Sequence, residues 1–283
     1  MRELNRTQGN SGENIHLTID TNLQKFASER LKGMSASSVL MDIESGNILS
    51  LVSTPSYNPN NFVLGISKSN WNDLLNDERK PLLNKATSGA YPPGSTFKMI
   101  VAAAALELGL IALNDKIFCP GFYELGSRKF HCWSKGGHGK LTLQEAIQKS
   151  CDVYFYELAR KVGVKRIGAM ARLLGLGQSY KLPLTGLSKG FVPTKKWKKE
   201  RFGTSWLVGD TLNIGIGQGF SLATPLQLAV MTARLASGKK VSPNLIRTPD
   251  KDQDEPKDIS IRKSTLNAIR KGMFDVLNDK DGT

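Results

Sequence analysis

The sequence has 283 residues, 40% of them apolar, which is enough for one large domain or two modest ones with a buried core. Its longest apolar stretch, residues 99–113, is interrupted by Glu107 and is too short to cross a bilayer, and residues 1–10 contain no apolar signal region. The formal net charge of +14 favours an acidic partner, but no nucleic-acid motif accompanies it, so we expect no nucleic-acid binding. We expect a soluble chain whose membrane anchor lies outside it.

The first part of the chain predicts a strand, a helix and a hairpin. Residues 17–33 (LTIDTNLQKFASERLKG) begin as a strand and continue as a helix, with Thr21 and Gln24 as a capping box and Gly33 as its end. The apolar stripe of that helix consists of Leu23, Phe26, Ala27 and Leu31. Residues 37–59 contain two apolar, β-branched runs around the turn sequence ESGN, which predicts a β-hairpin.

The middle and the end of the chain are predicted to be helical. Residues 91–110 (YPPGSTFKMIVAAAALELGL) place two prolines and a glycine before an alanine-rich segment, which predicts a helix that begins near Ser95. A second helix is predicted to begin at the capping box Thr142 to Glu145. A third is predicted between the cap Thr224, which precedes Pro225, and the stop Gly238. A last helix is predicted over residues 264–277. Strands at the front and helices in the middle predict an α+β domain with a helical subdomain.

Residues 95–98 (STFK) form an S-x-x-K tetrad with features of a nucleophilic site. At the start of a helix, this spacing places the lysine amine one turn above the serine hydroxyl. The backbone N–H of Ser95 can support an oxyanion, and a desolvated neutral Lys98 can take the hydroxyl proton. Ser237 and Ser260 also begin S-x-x-K tetrads, but one lies where a helix ends and the other in a polar tail. The alternative for Ser95 is an ordinary helix cap with a solvent-facing lysine.

Six motifs occur in a fixed order: TIDTNLQ, GNILSLVSTPSYNPN, YPPGSTFK, GHG, SCDVYFYELA and GIGQGFSLATPLQLA. Together they resemble the transpeptidase domains of the class B, elongation-type penicillin-binding proteins, the penicillin-binding protein 2 family. The resemblance runs from about residue 14 to residue 283, with residues 1–13 as a linker. It implies a penicillin-binding, serine β-lactamase-like transpeptidase fold, an α/β sandwich whose antiparallel sheet is flanked by helices beside a helical subdomain.

The resemblance also implies a reaction and a role for each of four residues. Ser95 attacks the penultimate D-alanine carbonyl of a peptidoglycan stem pentapeptide and expels the terminal D-alanine, and an amine then resolves the acyl-enzyme as a cross-link. Ser150-Cys151-Asp152 occupies the place of the family's second motif, so Ser150 relays a proton to the leaving amine and Asp152 orients Lys98 and the substrate. β-Lactams are expected to acylate the same serine.

A third motif of the family, K-T-G or K-S-G on a strand beside the nucleophile, does not occur in the sequence, and the nearest string is KDGT at residues 280–283. We therefore expect a domain whose final strands, anchor and pedestal lie outside the chain. Such a chain would have an open sheet edge and an uncovered apolar face, and would be a poor catalyst. The alternatives are a non-catalytic penicillin-fold scaffold of the elongation machinery and, less favoured, a hydrolytic β-lactamase.

Three cysteines and a histidine cluster around the second motif: Cys119, Cys132, His138 and Cys151. Their spacing is not that of a zinc finger, and two alternatives are a disulfide with one spare thiol and three unrelated buried cysteines. Ligand number and softness favour a structural Cys3His zinc site, and some elongation-type family members carry a metal site in this segment, built with more carboxylates. Zinc at Cys151 would hold the second motif in place. His131 is the alternative ligand, and His16 is incidental.

The resemblance implies partners and a location as well. The partners would be peptidoglycan stem peptides, β-lactams and the rod-complex glycan polymerase, at the periplasmic face of the bacterial inner membrane. The densest basic run, residues 195–202 (KKWKKERF), is predicted to be a solvated loop or helix face. Its alternative role is a surface that faces acidic stem peptides or anionic lipid.

Overall fold

The computed structural model describes residues 12–247 and 255–283. The predicted linker, residues 1–13, lies almost wholly outside this range, as does the middle of the predicted polar tail. The α-helices of the described residues are α1 (Thr21–Arg30), α2 (Lys68–Asn76), α3 (Lys98–Glu107), α4 (Leu143–Gln148), α5 (Asp152–Val162), α6 (Val164–Leu173), α7 (Lys195–Phe202), α8 (Val208–Gly215), α9 (Pro225–Ser237) and α10 (Lys263–Asn278). Their strands are β1 (Ala36–Met41), β2 (Ile48–Thr54), β3 (Ile117–Cys119), β4 (Phe122–Leu125), β5 (Arg128–His131) and β6 (Gly139–Leu141).

The named strands of the described residues form three antiparallel pairs beside the helices, and the predicted α+β class is confirmed. The predicted hairpin is β1 with β2, paired from Ala36 opposite Thr54 to Met41 opposite Ile48. Helix α1 packs against β2 and α9 packs against β1. In the part of the chain that the structure describes, no third strand joins this hairpin, and Asn47 forms an isolated bridge to Asn244 beside it. The pairs β3–β6 and β4–β5 form a small separate β-region between α3 and α4.

The first element differs from the prediction in three respects. Residue 17 makes one isolated bridge to Ile246 and is not in a strand. The N-cap of α1 is Asp20, whose carboxylate accepts from the N–H groups of residues 22 and 23, so Thr21 is the first helical residue. Gln24 does not complete a capping box, because its amide pairs with the N–H and C=O of Leu51 in β2 at 2.8 and 2.9 Å. Helix α1 has no buried residue, and Phe26 of its predicted apolar stripe is 62% exposed.

Helix α3 is the centre of the core. Its residues from Lys98 to Leu106 are all buried, and α5, α6 and α10 pack around it. Alanine dominates this helix, which allows neighbouring helices to approach on all sides. It begins at Lys98 and not near Ser95, because Gly94–Phe97 forms a separate 3-10 turn. No helix in the described ranges combines the length and the apolar character that a bilayer crossing needs.

The other predicted helix boundaries are confirmed. Thr142 and Glu145 form the capping box of α4, and Thr224 caps α9, which ends at Gly238 in the left-handed conformation. The last helix, predicted over residues 264–277, is α10.

The basic run forms α7, and the prediction that it is a solvated face is wrong for its centre. Lys198 is only 7% exposed and forms an ion pair with Asp210 of α8. Trp197 packs against the rings of Phe191 and Phe220 at centroid distances of 4.5 and 5.2 Å. The remaining lysines of the run are exposed, so α7 has one buried face that anchors it to α8 and one cationic face.

Candidate active site and metal cluster

Ser95 lies in the 3-10 turn that precedes α3 and is exposed. The turn is held from two sides: the Thr96 hydroxyl donates to the Pro93 carbonyl at 2.7 Å, and the Gly94 N–H donates to the Gly217 carbonyl at 3.0 Å. Gly217 has φ +71°, and a Cβ atom there would lie 2.0 Å from the Gly94 oxygen. Only glycine therefore permits this contact between the loop after α8 and the turn that carries Ser95.

Lys98 is the first residue of α3 and is only 1% exposed, so the alternative of a solvent-facing lysine is wrong. Its ammonium donates to three acceptors: the Ser150 carbonyl at 2.7 Å, the Ser150 hydroxyl at 2.9 Å and Asp152 Oδ1 at 2.7 Å. Every N–H of a buried ammonium is thus satisfied. The three contacts join the S-x-x-K tetrad to the second motif across more than fifty positions of sequence.

The hydroxyl of Ser150 connects the other two polar groups of the site. It donates to Ser95 Oγ at 2.9 Å and accepts from Lys98 Nζ at 2.9 Å. The tetrad spacing places the Lys98 amine one helical turn from the Ser95 hydroxyl, but no direct hydrogen bond joins the two groups. The structure therefore forms a chain from Ser95 through Ser150 to Lys98.

Asp152 is the first residue of α5, and its two carboxylate oxygens have different partners. Oδ1 accepts from Lys98, and Oδ2 accepts from the backbone N–H of Trp133 at 3.0 Å. The carboxylate also lies at the N-terminus of α5, where negative charge is favourable. Trp133 is a functional residue that was not predicted from the sequence, although its place directly after Cys132 in the cysteine-rich segment was a usable signal.

The other two S-x-x-K tetrads form no comparable site. The Ser237 hydroxyl donates to the Ala233 carbonyl one turn earlier in α9, and Lys240 is exposed. Ser260 is exposed and lies at a bend outside the helices. Burial of the lysine beside a second polar motif is what separates Ser95 from these two serines.

An apolar cavity of about 320 Å³ opens beside the Ser95 hydroxyl. Ser95, Lys98 and Ser150 line its polar end. Side chains from α3, α4, α9 and α10 form the rest of its wall, among them Met99, Ile147, Met231, Met273 and Val276. The polar site therefore opens onto a mostly apolar surface between these helices.

The four predicted metal ligands come together. One ligand atom from each of Cys119, Cys132, His138 and Cys151 lies within 4.8 Å of all the others, and the three cysteines are buried and free of disulfides. His138 Nδ1 is 3.7 Å from Cys119 Sγ and 3.5 Å from Cys132 Sγ. Tetrahedral zinc, with bonds of about 2.3 Å to sulfur and about 2.0 Å to nitrogen, would separate such atoms by about 3.5 Å. The donor set and its spacing fit zinc.

Backbone hydrogen bonds bring these ligands together. Residues 119 and 139 face each other in the β3–β6 pair, and the N–H of His138 donates to the Cys119 carbonyl at 3.1 Å. A Cβ atom on Gly137, which has φ +76°, would lie 2.2 Å from that same carbonyl oxygen. The loop that delivers His138 therefore needs glycine at this position. By contrast, His131 and His16 are exposed and lie outside the cluster.

A hydrogen bond between the thiols of Cys132 and Cys151 shifts their pKa values in opposite directions. The bond from Cys151 stabilises the thiolate of Cys132 and lowers its pKa to about 4. The same bond, together with burial, raises the pKa of Cys151. Nε2 of His138 is buried and has no hydrogen-bond partner among the described residues.

Comparisons with known proteins agree with these features. The family profile described as "Penicillin binding protein transpeptidase domain" matches residues 36–283. The chain is 37% identical over 294 aligned residues to the peptidoglycan D,D-transpeptidase MrdA of Haemophilus influenzae, and the alignment covers 100% of this chain and 45% of that protein. The chain thus spans about half the length of the curated relatives that it matches.

Two solved structures are similar over almost the whole chain. The first is a complex between a penicillin-binding protein (PBP2) and MreC from Helicobacter pylori, with a TM-score of 0.89 and 39% identity, covering 95% of this chain and 50% of that one. The second describes structural coordination of polymerization and crosslinking by a peptidoglycan synthase complex. It has a TM-score of 0.82 and 30% identity, covering 94% of this chain and 49% of that one.

Proposed function

The chain belongs to the family of penicillin-binding protein transpeptidase domains, and we propose that it supplies the serine D,D-transpeptidase activity that cross-links peptidoglycan stem peptides during cell elongation. The observation that carries the proposal is the hydrogen-bonded chain from Ser95 through Ser150 to the buried Lys98 and on to Asp152. A nucleophile, a proton relay, a base and an orienting carboxylate are thereby held in one site.

In the first step, Ser95 Oγ attacks the penultimate D-alanine carbonyl of a stem pentapeptide. Its proton passes to the Ser150 hydroxyl, which gives its own proton to the neutral amine of Lys98. The hydrogen bonds of the structure are those of the resulting ammonium, which Asp152 stabilises. The N–H of Ser95, in the first part of a 3-10 turn and without an intrahelical partner, is a donor for the oxyanion.

Collapse of the tetrahedral intermediate breaks the peptide bond and leaves an ester on Ser95. Lys98 returns its proton through Ser150 to the departing amine of D-alanine, so the relay runs in the opposite direction. An amine of a second stem peptide then attacks the ester carbonyl, and its proton passes through Ser150 to Lys98. Collapse of this second intermediate breaks the ester C–O bond, and the proton returns by the same route to Ser95 Oγ. β-Lactams acylate the same oxygen, because ring opening is also attack of a hydroxyl on an amide carbonyl.

Labelling with a fluorescent penicillin, followed by peptide mapping, tests this proposal. The label is expected on the peptide that contains Ser95, and Lys98→Met is expected to remove it. Ser237→Ala is a matched control, because Ser237 also begins an S-x-x-K tetrad but its hydroxyl bonds only to backbone groups of nearby residues, the Ala233 carbonyl and the Lys239 N–H. A label on any other serine would contradict the proposal.

We propose that Cys119, Cys132, His138 and Cys151 hold a structural zinc ion. The fit of the donor set and the 3.5 and 3.7 Å distances to His138 Nδ1 support it. A bound ion would fill a closed four-ligand site and supply no open position for substrate. Because Cys151 separates Ser150 from Asp152, its ligation would fix the position of the second motif.

The partners that we propose are nascent peptidoglycan and the rod-complex glycan polymerase, at the periplasmic face of the inner membrane. The proposed substrate is found there, and one similar structure is described as a synthase complex that couples polymerization with crosslinking. The exposed face of α7 is a candidate contact for acidic stem peptides or anionic lipid. Replacement of Lys195, Lys196 and Lys199 by glutamine tests this, with Lys198 retained because it is buried against Asp210. Unchanged binding to both would exclude that role.

A further inference from the structure

The backbone of Ser150 is in an unfavourable conformation. Its φ is +46°, in the left-handed region, and the one other non-glycine residue with positive φ in the described ranges is Lys80. A serine in this region is less favourable than one at an ordinary negative φ. The conformation persists only if surrounding groups hold it, and it directs the Ser150 hydroxyl to Ser95.

Two donors hold the carbonyl of this strained residue. One is the ammonium of Lys98 at 2.7 Å, and the other is the indole N–H of Trp133 at 3.1 Å. The same indole N–H lies 3.1 Å from the Lys149 carbonyl. Trp133 therefore bridges two consecutive carbonyls, of which one belongs to the strained residue itself.

Trp133 also contacts the other polar residue of the motif. Its backbone N–H donates to Asp152 Oδ2 at 3.0 Å. The side chain is 59% exposed, so it is not held there by burial in the core. Its ring contacts the imidazole of His138 edge-on at a centroid distance of 5.2 Å, which fixes the ring from the other side.

We propose that Trp133 is a positioning residue, which holds the strained Ser150 backbone and the Asp152 carboxylate in the arrangement that acylation of Ser95 requires. The inference rests on the proposed transpeptidase function. Without the indole hydrogen bonds, residue 150 relaxes toward negative φ, and its hydroxyl moves away from Ser95 and Lys98. Trp133 acts on the relay and does not itself exchange a proton with the substrate.

Trp133→Phe in the 283-residue chain tests this role, because it keeps an aromatic ring and the backbone N–H at this position and removes the indole donor. Trp206→Phe is the matched control, since it removes an indole hydrogen bond to Thr211 Oγ1 of 2.8 Å outside the site. Time courses with a fluorescent penicillin at several concentrations separate the acylation rate constant from the dissociation constant. Amide hydrogen exchange of peptides over residues 143–152 reports the local backbone without any need for acylation.

In Trp133→Phe we expect the acylation rate constant to fall about 5- to 20-fold, with a dissociation constant within about twofold of the wild type. Exchange over residues 143–152 should become several-fold faster, and Trp206→Phe should change none of these values. An unchanged rate constant overturns the inference, whether or not exchange changes. If the wild type forms no adduct, the proposed function fails, and exchange alone decides whether Trp133 holds Ser150: faster exchange in the variant supports this, and unchanged exchange overturns it.

Discussion

The ammonium of Lys98 lies 2.7 Å from Asp152 Oδ1, although 54 positions of sequence separate the two residues. Lys98 begins the central helix α3 and Asp152 begins α5, which packs directly against α3. The side chains are 1% and 14% exposed, so the pair is largely shielded from water. The ion pair therefore fixes the two motifs relative to each other.

Lys98→Met removes the group that accepts the Ser95 proton, and we expect the acylation rate constant to fall about 10³-fold. Asp152→Asn keeps the shape and leaves Lys98 its two contacts to Ser150, so the expected loss is smaller, about 10-fold. Penicillin acylation time courses measure both values, and circular dichroism checks the fold. Acylation of Lys98→Met within about threefold of the wild type would exclude Lys98 as the base.

Gly217→Ala should disrupt the turn that carries Ser95, because the new Cβ would lie 2.0 Å from the Gly94 oxygen. We expect a loss of about 3 kcal/mol in the free energy of unfolding together with slower acylation. Gly203→Ala is the control, since Gly203 has a similar φ of +69° and open space around it. That variant should lose only about 1 kcal/mol, the cost of the backbone angle. Equal losses in denaturant unfolding of the two variants would show that the contact with Gly94 does not matter.

Removal of metal should destabilise the second motif. We expect native mass spectrometry to detect one zinc ion per chain, and chelation to lower both the melting temperature and the acylation rate constant. His138→Ala should reduce zinc occupancy, whereas His131→Ala, which alters the exposed neighbour of Cys132, should not. A loss of two hydrogens in the denatured mass, with no metal, would replace the zinc site with a disulfide.

The capping box of α4 should make stability depend on pH in acid. Hydrogen bonds from the backbone N–H and then the hydroxyl of Thr142 lower the pKa of Glu145 from its ordinary value of 4.5. A carboxyl whose pKa is lower in the folded state contributes stability above the unfolded pKa and loses it as the pH falls through the folded pKa. In urea unfolding experiments, the free energy of unfolding of the wild type should therefore decrease more steeply below about pH 4.5 than that of Glu145→Gln. Parallel curves would contradict this account.

Short-range patterns in the sequence were sufficient to predict much of the fold. The hairpin, the capping box of α4, the Thr224 cap of α9 and the last helix depend on neighbouring residues, and the structure has all of them. The penicillin-binding transpeptidase fold followed from the order of six motifs, and membership of the family confirms it. These features need no knowledge of which distant segments meet.

Three of the differences from the prediction share a physical cause, because a partner distant in sequence sets the role of the residue. Gln24 fits a capping box by spacing, but the edge of β2 offers its amide two backbone partners. The basic composition of its segment predicts an exposed Lys198, but in the structure Lys198 forms an ion pair with Asp210 and its ammonium lies over the ring of Phe220. Trp133 gave no periodic signal, and its hydrogen bonds to the second motif arise only after the loop has folded.

The intact mass of the chain after incubation with excess benzylpenicillin tests whether Ser95 is the nucleophile. The wild type should gain one penicilloyl group per chain, even if acylation is slow. Ser95→Ala should gain none. Loss of the Ser95 hydroxyl removes only the hydrogen bond to Ser150, so the variant should keep its melting temperature within a few degrees. An adduct on Ser95→Ala would assign the nucleophile to another residue. A wild type that stays unmodified would contradict the acyl-enzyme account and favour a scaffold role for this chain.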